Sequence, residues 1–304
     1  MKAWIEDKAG LALLGDLPGG VTVEVCTSAS QLPSDPADVE FWTPPFLGTG
    51  RELIAMLDRM PALRVLQLLS AGADAWVGSV PDGVHLCDAR GVHDAPTSEW
   101  VLAAILGYLR HFPSFALAQA RGEWTRHRTD ELAGKRVLIV GAGSISDAIG
   151  RRLLPFEVDV TRVARRARPG VHAVEELPAL LPEADIVVLI VPLTPATTGL
   201  VDAAFLAAMP AGALLVNAAR GPVVDTGALT AALVSGRIGA AVDVTDPEPL
   251  PPGHPLWSAP NLLLTPHVGG AVPGMTARAY RLVGEQLRRY AAGQPVVNVV
   301  VDGY

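Results

Sequence analysis

Short apolar runs alternate with longer segments of helical periodicity along this chain, and the alternation limits its possible folds more than any other property of the sequence. The apolar runs, which we predict to be strands, are residues 63–69, 137–141, 158–163, 186–191, 213–217, 239–244 and 261–265. Helical spacing of apolar residues is clearest in residues 98–112, 145–154, 202–208, 226–235 and 276–292. Runs that are apolar throughout are typical of strands buried on both faces, so the pattern predicts an α/β fold with parallel strands.

The length of the chain, 304 residues, is more than one hydrophobic core usually supports. After the last apolar run only one amphipathic helix and a short apolar tail remain, and a lone helix cannot bury its own apolar face. We therefore expect the C-terminal segment to pack on the N-terminal part of the chain. The predicted domains are residues 1–96 together with 271–304, and an inserted domain of residues 97–270.

Composition and charge exclude several classes of protein. Half of the residues are apolar, which excludes a largely disordered chain, and the net charge of −7 argues against a dedicated partner of nucleic acid or of an anionic membrane. The most apolar run, residues 186–193, is far shorter than the roughly 20 residues that span a bilayer. Cys26 and Cys87 lack metal-ligand spacing, so we expect two buried thiols and no metal site. These observations predict a cytoplasmic protein.

The run 137–141 ends in a glycine turn that leads directly into a helical segment. A dinucleotide-binding fingerprint requires this strand–turn–helix context, because Gly141 permits the tight turn and Gly143 lets the backbone approach a pyrophosphate at a helix N-terminus. Gly141, Gly143, Ser144 and Ile145 are therefore predicted to bind a nicotinamide dinucleotide.

The fingerprint departs from the usual pattern at two positions. Ser146 occupies the place of the third glycine, and Asp147 follows it in the first turn of the helix. A carboxylate there favours the helix dipole but repels a diphosphate, which would lower the affinity for the cofactor.

The residue that meets the adenosine ribose is expected at the end of the next strand, about 20 residues on. A carboxylate at this place would accept a hydrogen bond from the 2′-hydroxyl of NAD. Here the run 158–163 leads instead into a basic segment, residues 164–168. Because arginine pairs well with a 2′-phosphate, the segment predicts a preference for NADP(H), with NAD(H) as the alternative. Arg165 is the first candidate for the phosphate contact and Arg166 the second.

Three charged or titratable side chains, which we call the charged set, follow successive apolar runs. Arg220, Glu248 and His267 come after the runs at 213–217, 239–244 and 261–265. Because the carboxyl ends of parallel strands meet at one edge of a sheet, we expect the three side chains to lie on one rim, beside the nucleotide. A guanidinium, a carboxylate and an imidazole at such a rim are candidates for catalysis.

With these motifs the chain resembles the D-isomer-specific 2-hydroxyacid dehydrogenase family, which includes glyoxylate and hydroxypyruvate reductases. The matching segments keep the family order and are Ser70–Asp74, Gly91–His93 with Glu99, the glycine turn, Pro192–Thr197, Asn217–Gly221, Asp246–Trp257 and Pro266–His267. The fold that we predict is therefore α/β with two Rossmann-like, doubly wound domains. The dinucleotide-binding domain is inserted in a discontinuous, flavodoxin-like substrate domain.

The resemblance implies a role for each member of the charged set. His267 would be the general acid, since an imidazole exchanges protons near neutrality. Glu248 would accept a hydrogen bond from the other ring nitrogen of His267 and favour the protonated ring. Arg220 would bind the carboxylate and the carbonyl oxygen of the substrate.

The resemblance also assigns residues to substrate and cofactor binding. The turn amides near Ala71 and Gly72 would complete the binding of the substrate carboxylate, and Asp243 would hold the nicotinamide carboxamide. The remaining residues expected to line the cofactor site are Thr97, Pro192 and Thr197. We expect the pocket for the substrate side chain in the loops around residues 42–48 and 70–76.

These residues predict NADP(H)-dependent reduction of a small 2-oxo acid, of the glyoxylate or hydroxypyruvate type, to the D-2-hydroxy acid. One alternative is an NAD-dependent dehydrogenase of a bulkier or phosphorylated D-2-hydroxy acid. An alternative from another class is a nucleotide-sensing, corepressor-like binding protein; Ser146 and Asp147 favour it and the charged set argues against it. We also predict a homodimer that forms through the apolar helix near residues 98–112, as is the habit of the family.

Overall fold

In the computed structural model, which describes residues 1–46 and 51–301, the chain divides into two compact units. Unit 1 consists of Met1–His93 and Pro273–Tyr304, and unit 2 consists of Asp94–Val272. The sequence predicted these divisions after residues 96 and 270. Residues 47 and 48 of the predicted substrate loop lie outside the described residues, as do residues 302–304 of the predicted C-terminal segment.

Twelve strands and nine helices lie within the described ranges. The strands are β1 (Lys2–Ile5), β2 (Thr22–Val25), β3 (Val39–Trp42), β4 (Val65–Gln67), β5 (His85–Cys87), β6 (Arg136–Val140), β7 (Asp159–Ala164), β8 (His172–Ala173), β9 (Ile186–Leu189), β10 (Leu214–Asn217), β11 (Gly239–Val242) and β12 (Leu262–Leu264). The helices are α1 (Lys8–Leu11), α2 (Arg51–Met56), α3 (Asp94–Leu109), α4 (Phe112–Ala120), α5 (Ser144–Leu153), α6 (Leu177–Leu180), α7 (Ala203–Ala208), α8 (Thr226–Val234) and α9 (Gly274–Ala291).

The sheet of unit 1 has five parallel strands in the order β2-β1-β3-β4-β5, which is the flavodoxin order. The C-terminal helix α9 belongs to this unit, as its amphipathic sequence predicted. Tyr280, Val283 and Leu287 of α9 are buried in one cluster with Ile5 and Phe41 of the sheet. The main-chain amide of Asp7 also donates to the hydroxyl of Tyr280, at 3.0 Å.

Both cysteines are buried in unit 1, as the sequence predicted. Burial, with a smaller contribution from the neighbouring charge of Asp88, raises the pKa of the Cys87 thiol to about 12. Burial also raises the pKa of Cys26. The two thiols are therefore protonated near neutrality and behave as small apolar side chains.

The sheet of unit 2 has seven parallel strands in the order β12-β11-β10-β9-β6-β7-β8. Alternate residues of β6 point to opposite faces: Val137 and Ile139 lie in the cluster that contains α3, and Leu138 and Val140 lie in the cluster that contains α7 and α8. Because helices cover both faces, the sheet is doubly wound. The strand order reverses between β6 and β9, and ligands of such sheets bind beyond the carboxyl ends of the strands at this reversal.

All seven predicted strands are present in the structure, but the predicted helix over residues 98–112 is wrong at its end. Helix α3 ends at Leu109 and α4 begins at Phe112, with an angle of 67° between the two helices. His111 between them has a φ of +54°. Pro113 follows, and a proline has no amide hydrogen to continue the hydrogen bonds of α3.

Among the described residues, no single helix has both the length and the apolar content to cross a membrane. Helices α3 and α4, which are bent against each other, meet these criteria only as a pair. No group of three or more His, Cys, Asp or Glu side chains in the described part of the chain is arranged to hold a metal ion.

Candidate active site

The glycine turn lies between β6 and α5, at the carboxyl edge of the unit 2 sheet. Gly141 has a φ of +122°, and a Cβ at this position would collide with the carbonyl oxygen of Ile190. A Cβ at Gly143 would meet nothing within 4 Å among the described residues, and Gly143, the N-cap residue, has no side chain to cap the first-turn amides of α5. The amides of Ser144 and Ile145 at this helix N-terminus therefore suit a bound phosphate.

Ser146 and Asp147, the two departures from the fingerprint, lie in different surroundings. Ser146 is fully buried, and its hydroxyl has no hydrogen-bond partner among the described residues. Asp147 forms an ion pair with Arg162 of β7. Because this guanidinium opposes the charge of the carboxylate, it reduces the repulsion that Asp147 exerts on a diphosphate. The predicted loss of cofactor affinity remains a prediction.

The basic segment follows β7, and Arg165 and Arg166 are both exposed there. Arg168, which was not among the residues predicted to bind the cofactor, reaches back to the glycine turn. Its Nη2 donates to the carbonyl oxygen of Ala142 at 2.5 Å. The only signal for this contact in the sequence was a third arginine in the segment, and a sequence pattern does not show which way a side chain turns.

His267 and Glu248, which the sequence predicted at one rim, are in contact. Nδ1 of His267 lies 2.6 Å from Oε1 of Glu248, and the two side chains are 46% and 40% exposed. With Nδ1 donating to the carboxylate, the neutral ring has its acceptor nitrogen at Nε2. His267 has a φ of +54°, a backbone conformation that is uncommon for residues other than glycine.

Asp243, which follows β11, binds the segment that carries His267. Its side chain is only 4% exposed. Oδ1 accepts from the hydroxyl of Thr265 at 2.6 Å and from the amide of Val268 at 2.8 Å, and Oδ2 accepts from the amide of Gly269 at 2.7 Å. The carbonyl oxygen of Asp243 also accepts from the amide of His267 at 2.7 Å. One acidic residue thus holds the chain on both sides of the imidazole.

Arg220 lies in the turn after β10, and the side chain of Asn217 shapes that turn. Asn217 accepts from the amide of Ala219 at 3.0 Å and donates to the carbonyl oxygen of Arg220 at 3.1 Å. A Cβ at Gly221 would collide with the carbonyl oxygen of Thr245, so the turn passes directly against the segment that leads to Glu248. The half-buried Arg220 side chain donates from Nη1 to the carbonyl oxygen of Ala219 at 2.9 Å.

The predicted cofactor residues Pro192 and Thr197 lie in one loop after β9. The hydroxyl of Thr197 donates to the carbonyl oxygen of Pro192 at 2.7 Å and accepts from the amide of Thr194 at 2.8 Å. Thr197 therefore fixes the shape of this loop. Thr97 is buried on α3.

The predicted substrate residues Ala71 and Gly72 lie in unit 1, in the turn after β4, and both are half-buried. The hydroxyl of Ser70 closes this turn by donating to the carbonyl oxygen of Gly72 at 2.7 Å.

Comparison with known proteins identifies the family. Residues 102–269 match the family described as D-isomer specific 2-hydroxyacid dehydrogenase, NAD binding domain. The chain is 38% identical to glyoxylate/hydroxypyruvate reductase B of Citrobacter koseri, with 71% of each chain covered. It is 35% identical to the mitochondrial formate dehydrogenase of Hordeum vulgare, with 72% of this chain and 62% of the relative covered. The crystal structure of a D-isomer specific 2-hydroxyacid dehydrogenase from Xanthobacter autotrophicus Py2 in complex with NADPH and MES matches with a TM-score of 0.85 at 33% identity, and covers 100% of both chains. This chain therefore belongs to the D-isomer specific 2-hydroxyacid dehydrogenase family and is an NAD(P)-dependent oxidoreductase.

Proposed function

We propose that the enzyme reduces a small 2-oxo acid, of the glyoxylate or hydroxypyruvate type, to the D-2-hydroxy acid with NADPH. The observation that carries the proposal is the contact of His267 with Glu248, whose side-chain atoms lie 2.6 Å apart. The two residues follow β12 and β11, which belong to the same sheet as β6, the strand that leads into the glycine turn. A pure nucleotide sensor has no need of an imidazole paired in this way, and a reductase needs a proton donor beside its hydride donor.

Each member of the charged set has a role in this reaction. The reduced nicotinamide, when bound, supplies the hydride that the carbonyl carbon accepts. Nε2 of His267 gives a proton to the carbonyl oxygen, because Nδ1 is bound to Glu248, and the carboxylate of Glu248 stabilises the protonated ring. Arg220 pairs with the carboxylate of the substrate and stabilises negative charge on the carbonyl oxygen. We keep Ala71 and Gly72 of unit 1 as predicted substrate-binding residues.

The described residues also fit a dinucleotide. We assign the phosphates to Gly143, Ser144 and Ile145 at the N-terminus of α5, where the N-cap glycine leaves the approach open and has no side chain to cap the helix. Thr97, Pro192 and Thr197 stay assigned to the walls of the cofactor site.

Asp243 retains capacity for the nicotinamide carboxamide. An ionised carboxylate offers about four acceptor positions. Thr265, Val268 and Gly269 occupy three of them in this structure. The fourth, on Oδ2, can accept from an amide N–H group, as the resemblance to the family implied.

The preference for NADPH rests on the segment after β7. No acid follows the strand, and Arg165 and Arg166 stand exposed in its place. The relative from Xanthobacter autotrophicus Py2 was crystallised in complex with NADPH. We assign the 2′-phosphate to Arg165 first and to Arg166 second, and NAD(H) remains the alternative cofactor.

Replacing Arg165 by alanine is expected to raise the KM for NADPH about 10- to 100-fold, the size of effect expected from a lost charge-assisted hydrogen bond. The KM for NADH stays unchanged, because NADH has no 2′-phosphate. Steady-state kinetics with both cofactors measures the two values on the same enzyme preparation.

The neighbouring arginines supply matched controls for this experiment. Arg168→Ala removes the bond to the carbonyl of Ala142 in the glycine turn, so it is expected to raise the KM for both cofactors by the same factor. Arg166→Ala is expected to have a smaller selective effect than Arg165→Ala. Equal changes in the KM for NADPH and the KM for NADH in Arg165→Ala would show that this residue does not bind the 2′-phosphate.

The substrate assignment is tested by initial rates with NADPH and NADH against glyoxylate, hydroxypyruvate, pyruvate and phenylpyruvate, with formate oxidation measured in parallel. Turnover of the small oxo acids with NADPH supports the proposal. Turnover of phenylpyruvate alone would favour a bulkier substrate, and formate oxidation would place the enzyme with its formate dehydrogenase relatives. Cofactor binding without any turnover would favour the nucleotide-sensing alternative.

We further propose that the enzyme is a homodimer, as predicted for the helix near residues 98–112, and that α4 and the segment after it contribute to the contact. Most of the apolar residues of α3 are buried or half-buried, and Val101, Ala104 and Ile105 pack on the sheet of unit 2. The exposed apolar side chains lie beyond α3, where Phe112 and Leu117 are each 62% exposed and Trp124 is 96% exposed. A surface of this kind is typical of an interface with a second chain.

Replacing Leu117 by glutamate is expected to turn a dimer into a monomer at micromolar concentration, because the interface would have to bury an unpaired charge. Sedimentation velocity measures the change. Val234→Glu is the control, since Val234 on α8 is also largely exposed, at 67%, but lies outside this surface. A wild-type enzyme that sediments as a monomer, or a Leu117→Glu dimer, would contradict the proposal.

A further inference from the structure

A chain of hydrogen bonds connects α3 to the segment that carries His267. The indole Nε1 of Trp100 donates to the hydroxyl oxygen of Thr265 at 3.0 Å. The same hydroxyl lies 2.6 Å from Oδ1 of Asp243. The direction of both bonds follows from the groups themselves, because an indole N–H can only donate and an ionised carboxylate can only accept. The single proton of the Thr265 hydroxyl therefore points to Asp243.

Asp243 in turn binds the main chain around the imidazole through hydrogen bonds. Its carboxylate holds the amides of Val268 and Gly269, and its carbonyl oxygen holds the amide of His267. His267 itself has a φ of +54°, a conformation that a residue with a side chain keeps only where its surroundings enforce it. The bonds to Asp243 are such surroundings, since they bind three successive amides.

The packing around Gly269 shows how closely these parts meet. A Cβ at Gly269 would lie 2.8 Å from Oδ2 of Asp243 and 3.4 Å from Cγ of Trp100. The main chain at Gly269 thus lies close to both the carboxylate and the indole ring, and a side chain at this position would require the carboxylate of Asp243 to shift. A change in the orientation of either side chain would move this segment.

We infer that Trp100 and Thr265 are positioning residues for proton transfer by His267. They orient the carboxylate of Asp243, Asp243 holds the main chain at residues 267–269, and that main chain places the imidazole against Glu248. The inference rests on the role of His267 in the proposed function. Trp100 and Thr265 act through His267 and not on the substrate.

The test replaces the hydroxyl of Thr265 and then restores it. Thr265→Val keeps the volume of the side chain but removes both hydrogen bonds, and we expect kcat to fall about 10- to 50-fold, because small displacements of a catalytic group lower the rate steeply. The rates are measured at saturating NADPH, and the KM for NADPH is expected to rise by a smaller factor than kcat falls, because Asp243, which we also assign to the nicotinamide carboxamide, keeps its bonds to the amides of Val268 and Gly269. Thr265→Ser keeps the hydroxyl and is expected to restore kcat to within about threefold of the wild type. Trp100→Phe removes only the N–H donor and is expected to lower kcat about 3- to 10-fold.

Two further variants separate positioning from general destabilisation. Thr230→Val is the matched control, since it removes a threonine hydroxyl that donates to a main-chain carbonyl at 2.7 Å on α8 and takes no part in the hydrogen bonds that connect Trp100 and Thr265 to Asp243. Its kcat is expected to equal that of the wild type. Thr265→Val added to His267→Ala is expected to lower the residual rate less than about 1.5-fold, because the group that Thr265 positions is then absent.

The outcomes distinguish this inference from the proposed function. A slow His267→Ala enzyme beside a Thr265→Val enzyme of normal kcat would overturn the inference alone. So would a Thr265→Ser enzyme as slow as Thr265→Val, or a double variant that loses the full factor again. A His267→Ala enzyme with wild-type turnover would overturn the proposed function and the inference with it.

Discussion

Replacing His267 by alanine is expected to lower kcat by about 10³-fold, within the range of roughly 10² to 10⁴ that a positioned acid contributes. The alkoxide that forms at the carbonyl oxygen needs a proton, and without the imidazole only solvent supplies it. The loss falls on kcat because the bond to this oxygen strengthens in the transition state. The dissociation constant of NADPH, measured by fluorescence titration, is expected to stay near the wild-type value.

His254 provides the control for this variant. It lies in the proline-rich segment before Pro255 and accepts from the amide of Leu256 at 3.2 Å, so it caps a short helical turn. His254→Ala is therefore expected to keep the wild-type kcat. A His267→Ala enzyme that retains more than about a tenth of the wild-type kcat would remove His267 as the general acid.

The meeting of His267 with Glu248 could be predicted from the sequence because parallel strands impose it. Each residue follows a run that is apolar enough to be a buried strand, and such strands end at the same edge of the sheet. The glycine turn could be predicted for the same reason, since Gly141 stands between a strand and a helix. In these cases the local pattern and the topology of the sheet determine the position together.

Contacts between distant side chains could not be predicted in this way. Trp100 and Thr265 are 165 positions apart, and nothing in the residues around either one indicates the other. Arg168 turns back to Ala142, and the direction of an arginine side chain after a strand has no sequence code. The break between α3 and α4 depends on the left-handed conformation of His111, which the apolar periodicity of the segment conceals.

Replacing Arg220 by lysine is expected to lower kcat/KM for the 2-oxo acid about 10²-fold, and replacement by alanine about 10³-fold or more. A guanidinium presents a planar fork that binds a carboxylate through two parallel hydrogen bonds, whereas an ammonium group is a point charge on a flexible chain. Lysine therefore retains the charge and loses the orientation of the substrate. Both KM and kcat are expected to change, because Arg220 binds the carboxylate before the reaction and stabilises the carbonyl oxygen during it.

The turn that carries Arg220 makes this a clean comparison. Its backbone is held by the side chain of Asn217 and by the close approach of Gly221 to Thr245, and neither contact involves the guanidinium. Arg220→Lys loses the bond of Nη1 to the carbonyl oxygen of Ala219 but keeps these backbone contacts, so it should unfold within about 4 °C of the wild-type temperature and bind NADPH with the wild-type dissociation constant. Arg151→Lys, an exposed position in the last turn of α5, is the matched control and should leave kcat/KM unchanged. If Arg220→Lys also keeps the wild-type kcat/KM, the guanidinium of Arg220 does not bind the substrate. The orientation of the 2-oxo acid would then have to come from other residues.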